Sequence, residues 1–422
     1  MLKKMVKYGV FILVLPLLNH QASLLVSVVN EPSLPQGTCQ LATHAEQNQK
    51  KYSPEQLNKI ARRFAPLVFQ EVDRGTIFHQ PRGREDFITA VDFDGDLRGN
   101  NNWENLSDYP MLPTVYYSLI ETDSHWFISY SFFHPHDWSR SLAPYADHEN
   151  DMENIQIIVA KNDSPEKETP LLLLTQAHLH SSFAALSTSG VKPKDKVSTS
   201  ESLVLFDDTG KINPQGVHVG IFIERKGHGI FSLSDSQKIR YEKKNGLIQR
   251  LEKKRTATLE WEAFPIIQYV PTSDAASLRE PSIQLSKQMK QMIEPNVPFA
   301  LESIYHRFWA ELEKGNLYGE GRLFDGHFAY KDALFDLETI PRHFDSDQYS
   351  GPDKKDSGIS PFAIGLSLRD PQLGQFFFNP ASAYSMFFFF PEPWSTHYLY
   401  NPYLTSPLNR KYTNRKKRQD DY

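Results

Sequence analysis

Between two apolar, strand-like runs the chain gathers imidazoles and hard oxygen donors at unusual density. They fall in Tyr130-Ser-Phe-Phe-His-Pro-His-Asp-Trp138 and, after a loop, in His148-Glu-Asn-Asp-Met-Glu153. The flanking segments Trp126 to Phe133 and Ile155 to Val159 are aromatic and β-branched, which suits buried strands. Along an extended chain alternate residues share a face, so Asp151 and Glu153 point one way and Met152 and Asn154 the other. Two carboxylates on one side repel each other unless positive charge lies between them. A divalent cation held by carboxylates, carbonyls and water removes that repulsion. His148 stands three positions upstream and can join from the loop, and Asp137, after the turn at His134-Pro-His136, can bring a further carboxylate across a hairpin. Because the cluster is oxygen-rich and the single cysteine, Cys39, is distant, the spacing favours Ca²⁺, Mg²⁺ or Mn²⁺ over structural zinc. The same residue types also make caps, turns and solvated surface, and spacing alone leaves both readings open.

At these residues the chain resembles the secreted cytolysins known as necrosis- and ethylene-inducing-like proteins. Their signature joins a Tyr-x-Pro-Lys-Asp segment to Gly-His-Arg-His-Asp-Trp-Glu. Here Phe133-His-Pro-His-Asp137 stands for the first element and Asp147-His-Glu-Asn-Asp-Met-Glu153 for the second. The resemblance implies a β-sandwich whose divalent cation is held by Asp137, His148, Asp151 and Glu153. Asn150 and Met152 replace the family's second His and its Trp, and the spacer is longer, so the resemblance supports the cation cage better than toxin activity or headgroup specificity. The chain is also similar to the vacuolar-sorting-associated proteins with a His-x-Gly-Asp-Trp-Glu element, whose later strand ends in Gly-Ser-His. Val217 to Gly229 matches that strand and adds His228, flanked by Gly227 and Gly229. His136, within the first element, and His178, after the apolar run Leu171 to Leu174, complete the expected pocket. The resemblance runs from about Phe64 to about Ser232.

A weaker cation site is suggested by Asp92, Asp94 and Asp96, which open like a calcium loop. Leu97 and Trp103 then occupy the positions where an EF-hand needs its glycine and its bidentate glutamate, and an Asx-rich turn explains the same residues.

The elements that must position these groups are short strands with turn signals between them. Val115 to Ile120 and Trp126 to Tyr130 are spaced as a hairpin. Further strands are predicted over Phe64–Phe69, Ile155–Ala160, Pro170–Thr175, Ser202–Phe206, Val217–Glu224 and Thr256–Trp261. This pattern predicts a mainly β fold, an antiparallel β-sandwich with peripheral helices. Ser53-Pro-Glu-Gln56 opens a capped helix ending near Arg63. Ile239 to Arg255 reads as a solvated helix or loop, and Pro298 to Lys314 as a helix with Phe299, Ile304, Phe308 and Leu312 to one side. The phenylalanine runs at Phe376–Phe378 and Phe387–Phe390 read as buried sandwich strands, with a membrane-touching or glycan-stacking surface as the alternative.

Lys3, Lys4 and Lys7 followed by Val10 to Leu18 have the form of a secretory signal peptide, cleaved near Ala22 or Ser23; His20 fits the cleavage site poorly, and a retained anchor is the competing reading. The expected organisation is a signal peptide at 1–22, a linker or arm at 23–51, one sandwich domain at 52–405 with a helical insertion around 284–314, and a basic tail at 406–422. No other segment is apolar for long enough to span a bilayer. A net charge of −5 over 422 residues argues against general nucleic-acid binding. Gly-x-Ser-x-Gly is absent, so a nucleophile-elbow hydrolase has no support. The expectation is an exported, secreted or periplasmic, cation-dependent protein that binds a polar lipid headgroup or a glycan and is cytolytic if it follows the resembled toxins. A metal-dependent hydrolase and a structural envelope protein with a stabilising metal are the alternatives.

Overall fold

The computed structural model describes residues 49–73, 83–137, 148–177, 180–199, 203–233, 239–244, 247–253, 265–282, 293–317, 322–324, 360–366, 373–391 and 393–405. The chain divides into Met1–Thr38 and Cys39–Tyr422, and every described residue belongs to the second unit. The expected signal peptide, most of the expected arm, the strand expected at 256–261, His178 and the basic tail lie outside the described residues.

Helix α1 (Pro54–Phe64) starts as its sequence predicts. The Ser53 hydroxyl accepts from the Gln56 amide at 3.2 Å, and the Gln56 side chain accepts from the Ser53 amide at 2.8 Å. It buries Leu57, Ala61 and Phe64. Pro66 drives Ala65 out of the helical region, so the first strand begins at Leu67 and not at Phe64.

The strands are β1 (Leu67–Glu71), β2 (Thr114–Thr122), β3 (His125–Asp137), β4 (His148–Ala160), β5 (Thr169–Ala177), β6 (His180–Ala185), β7 (Lys192–Pro193), β8 (Leu205–Phe206), β9 (His218–Ile223), β10 (Ile230–Ser232), β11 (Ile239–Lys244), β12 (Leu247–Lys253), β13 (Ile266–Pro271), β14 (Ile293–Ser303), β15 (Phe388–Phe389) and β16 (Tyr398–Tyr400). Among the described residues the main sheet has 12 strands in the order β10-β9-β1-β13-β14-β2-β3-β4-β5-β6, with β16 on β2 and β8 on β9. The mainly β expectation holds, but the sheet is mixed rather than antiparallel. Strands adjacent in sequence form the antiparallel meander β2 to β6. Elsewhere β1 pairs in parallel with β9, β13 with β14 and β14 with β2, while β1 with β13 and β16 with β2 are antiparallel.

Side-chain alternation splits the meander into two buried faces. On β3, Trp126, Ile128, Tyr130 and Phe132 join a core with Val68 of β1, Ile221 of β9 and Ile267 of β13. Phe127 and Phe133 face the other way, into a second core with Phe308, Trp309 and the C-terminal aromatics. Strands buried on both faces read as continuous apolar runs, which is why the hairpin was legible.

Three other expectations are corrected. Val297, Phe299 and Leu301 are buried at alternate positions of β14, and helical structure begins only at the π-turn Tyr305–Trp309. In the lysine-rich stretch the described residues pair as two antiparallel strands, β11 and β12, with Tyr241 opposite Leu251 in the register. The phenylalanine runs are largely helical, in Gln375–Phe378 and Pro380–Phe387, with only Phe388–Phe389 extended. Among the described residues no helix is long and apolar enough to cross a membrane.

Candidate functional site

The two motif segments meet where β3 ends and β4 begins. The ladder pairs Phe132 with Glu153, His134 with Asp151, His136 with Glu149 and Asp137 with His148. Residues directly opposite in such a ladder share a face. Glu149, Asp151 and Glu153 therefore stand on one face with His134 and His136, while Asp137 pairs with His148 at the next register position. The structure thus brings Asp151 and Glu153 together and adds Glu149, and it sets Asp137 opposite His148 one register step away. Glu149, Asp151 and Glu153 are all buried.

His228 arrives from the turn between β9 and β10 and bridges two carboxylates. Its Nδ1 lies 2.7 Å from Asp151 Oδ2 and its Nε2 lies 3.1 Å from Asp86 Oδ1. Burial alone would lower its pKa, but the hydrogen bonds and charges of Asp151 and Asp86 outweigh that and push it up to about 10. It is therefore an imidazolium donating from both nitrogens. The bend that presents it does not rely on the glycines: the left-handed residues are Lys226 (φ 73°) and His228 (φ 44°). Gly229 serves close approach instead, since a Cβ there would come within 3.0 Å of Glu224 Oε1 and 3.2 Å of Ala177 Cβ.

Asp86 was not read from the sequence, because it lies 142 residues from His228 and carries no local signal. Its Oδ2 accepts from the Asp73 amide at 2.6 Å and its Oδ1 from the Lys226 amide at 2.7 Å. Beside it, burial pushes the Glu85 carboxyl up to about 8, with the negative charges of Asp86 and Asp73 adding to the effect.

His134 stacks on His228 with ring centroids 3.9 Å apart and an interplanar angle of 9°. Burial, and then the charge of His228, holds its pKa well below the usual histidine range. Its Nδ1 lies 3.0 Å from the Asp86 carbonyl oxygen, which can only accept, so the proton sits on Nδ1 and the lone pair on Nε2. That Nε2 is buried with no hydrogen-bond partner among the described residues. His136 packs under Trp103, with centroids 4.2 Å apart, and the Trp103 amide donates to Glu149 Oε1 at 2.5 Å.

The loop after residue 92 supports this face from outside. Asp92 pairs with Arg307, Asp94 accepts from Asn105 at 2.7 Å, and Asp96 accepts from the Arg98 amide at 2.7 Å. The three acids are thus engaged in an ion pair and turn contacts rather than in a common centre. Asn150, at φ 57°, donates to the Gly99 carbonyl at 2.8 Å. A Cβ at Gly99 would overlap the Asn150 amide and the Arg322 backbone oxygen. Gly99→Ala is expected to cost about 1–3 kcal/mol, read as a lower midpoint in chemical denaturation with faster amide exchange at the start of β4.

The donors fit a hard divalent cation in kind, being carboxylates on one buried face. Asp151 uses Oδ2 for His228, and its side chain makes no other hydrogen bond among the described residues. Among the described residues no three His, Cys, Asp or Glu side chains already converge on a shared centre.

No protein-family model matches the chain, and no curated protein does. Solved structures similar to it include "Toxin fold for microbial attack and plant defense", at 15% identity and a TM-score of 0.26, covering 48% of this chain and 76% of that one. Another is "NLPPya in complex with glucosamine", at 14% identity and a TM-score of 0.24, covering 44% and 71%. A third is the necrosis and ethylene inducing protein 2 from the causal agent of cocoa's witches' broom disease, at 11% identity and a TM-score of 0.22, covering 44% and 69%. The chain is thus distantly similar, over less than half of its length, to solved structures described as a toxin fold and as a necrosis and ethylene inducing protein.

Proposed function

We propose that this protein is an exported binding protein of sandwich type that recognises a polar headgroup or glycan through a divalent cation, Ca²⁺, Mg²⁺ or Mn²⁺, and that cytolysis is the outcome of that binding. The observation that carries the reading is the run of buried carboxylates Glu149, Asp151 and Glu153 on one face of β4. Burying acids together is costly unless positive charge joins them. His228 serves Asp151 and Asp86 jointly. Asp151 and Glu153 are the residues that would hold the cation, with Glu149 beside them and Asp137 and His148 drawn in from the facing ends of β3 and β4. When bound, the cation supplies coordination positions at which a sugar hydroxyl or a phosphate oxygen displaces water. The chain's own part is to orient the acids: His228 fixes the Asp151 carboxylate, and the Trp103 amide fixes that of Glu149.

The test is metal analysis of the purified protein together with calorimetric titration of Ca²⁺, Mg²⁺ and Mn²⁺. Glu153→Gln keeps the Asp151 to His228 contact and is expected to weaken the cation by at least about tenfold. Glycan and vesicle binding is then compared with and without chelator. Equal binding in both conditions, or cation affinity untouched by the substitution, sinks the reading.

A further inference from the structure

A separate cleft of about 660 Å³ lies along α1. Glu55, Asn58, Lys59 and Arg62 line it from the helix, where spacings of three and four residues put them on adjoining stripes of one face. Glu302 of β14 and Arg307 of the π-turn line it as well. Single π-turns recur at functional sites because the extra residue redirects the side chains around it.

Which charges are already neutralised decides what the cleft can take. Arg307 pairs with Asp92. Glu55 stays ionised at the helix start, where the Ser53 hydroxyl and its own amide keep its carboxyl below the usual range, so it adds an acid at the exposed edge of the cleft. Arg62, by contrast, makes one long side-chain bond, 3.4 Å to Asn58 Oδ1. Asn58 is fixed in turn by donating to the Leu301 carbonyl at 3.1 Å, so the guanidinium is held in place with most of its donors unengaged. The Lys59 ammonium and the Glu302 carboxylate make no hydrogen bond or ion pair among the described residues. Charge of both signs outside any ion pair therefore lines one cleft, with Lys59, Arg62 and the exposed Glu55 on the helix and, on β14, Glu302, which feels the Arg307 charge without a direct contact to it.

We propose that this cleft binds a small zwitterion, its oxyanion forked by Arg62 and joined by Lys59, its ammonium group against Glu302. A planar guanidinium with free donors matches a phosphate or carboxylate edge, and a lone carboxylate at the cleft is satisfied by a donor-only cation. The proposal does not depend on the cation site, and the experiment is run in chelator so that the two readings fail separately.

The probe is phosphorylethanolamine, titrated calorimetrically into the full chain, with inorganic phosphate and ethanolamine as single-charge controls. Saturable binding is expected, weakened at least about tenfold by Arg62→Ala and likewise by Glu302→Gln. Inorganic phosphate should respond to the arginine change only. Arg62→Lys, which retains charge without the fork, should fall between wild type and alanine, and it replaces the alanine variant should that fail to fold. Absence of saturable binding overturns the proposal, as does binding indifferent to either substitution. A loss with Arg62→Ala but none with Glu302→Gln also overturns it, leaving an anion site alone.

Discussion

Replacing His228 with alanine is expected to destabilise the protein by on the order of 3–5 kcal/mol, the range for removing one partner from a buried ion pair. The imidazolium is fully buried between Asp86 and Asp151, and without it two carboxylates lose their counter-charge in a place that water does not reach. His228 also occupies a left-handed backbone conformation, which alanine dislikes. Asparagine tolerates that conformation but cannot supply the charge. His228→Asn is therefore expected to be nearly as damaging as His228→Ala, which separates electrostatics from backbone strain. Chemical denaturation of both variants in chelator reads the difference, and an asparagine variant as stable as wild type would show that strain relief was the larger effect.

The same contact has a pH signature. The folded pKa of His228 is raised from 6.5 to about 10, so its stabilisation is complete below pH 6.5 and is lost as pH climbs through 10. Glu85 adds a lower window of the same sign. Its carboxyl is raised from 4.5 to about 8, so folding favours its protonated form and loses that advantage between those values. Wild-type stability should thus decline in two overlapping steps as pH rises, the first between 4.5 and about 8 and the second between 6.5 and about 10. The His228 variants should keep the step belonging to Glu85 and lose the one that ends near pH 10.

Local chemistry was legible in the sequence wherever a single element carried it. The capping box at Ser53, the β2 to β3 hairpin and the shared face of Asp151 and Glu153 all follow from neighbours within a few positions. The reading failed where distant segments supply the answer. Asp86 sits in the short 3₁₀ turn Arg84–Asp86 and becomes part of the site only because β9 and β3 carry His228 and His134 to it. The mixed character of the sheet has the same origin: β1 lies between β9 and β13, which come from much later in the chain, and nothing local to β1 announces either neighbour. Val297 to Leu312 failed for another reason. Its apolar residues satisfy a period of two as far as Leu301 and a helical period from Ile304, so a single helical assignment fitted both stretches.

Those limits make the C-terminal aromatics the sharpest test of the fold, and Trp309→Ala the second large effect. Trp309 is 1% exposed. Its ring meets Phe362 at 5.4 Å, Phe378 at 5.6 Å and Tyr403 at 5.0 Å, each at a steep angle. Edge-to-face contacts of this kind add to the burial of large apolar area. Removing the indole leaves a cavity bounded by rings from three separate segments, and about 3–5 kcal/mol of destabilisation is expected. Phe389 provides the contrast. It belongs to the same phenylalanine-rich region but is 61% exposed, beneath the Lys194 ammonium at 4.6 Å from its ring centre. Phe389→Ser should shift stability by less than about 0.5 kcal/mol. Equilibrium denaturation of the two variants side by side distinguishes an aromatic core from an aromatic surface. Hydrogen exchange locates the effect, because loss of Trp309 should speed exchange across 373–391 and 393–405 while leaving β3 and β4 protected. Equal and small effects from both substitutions would mean that these rings do not form one packed unit.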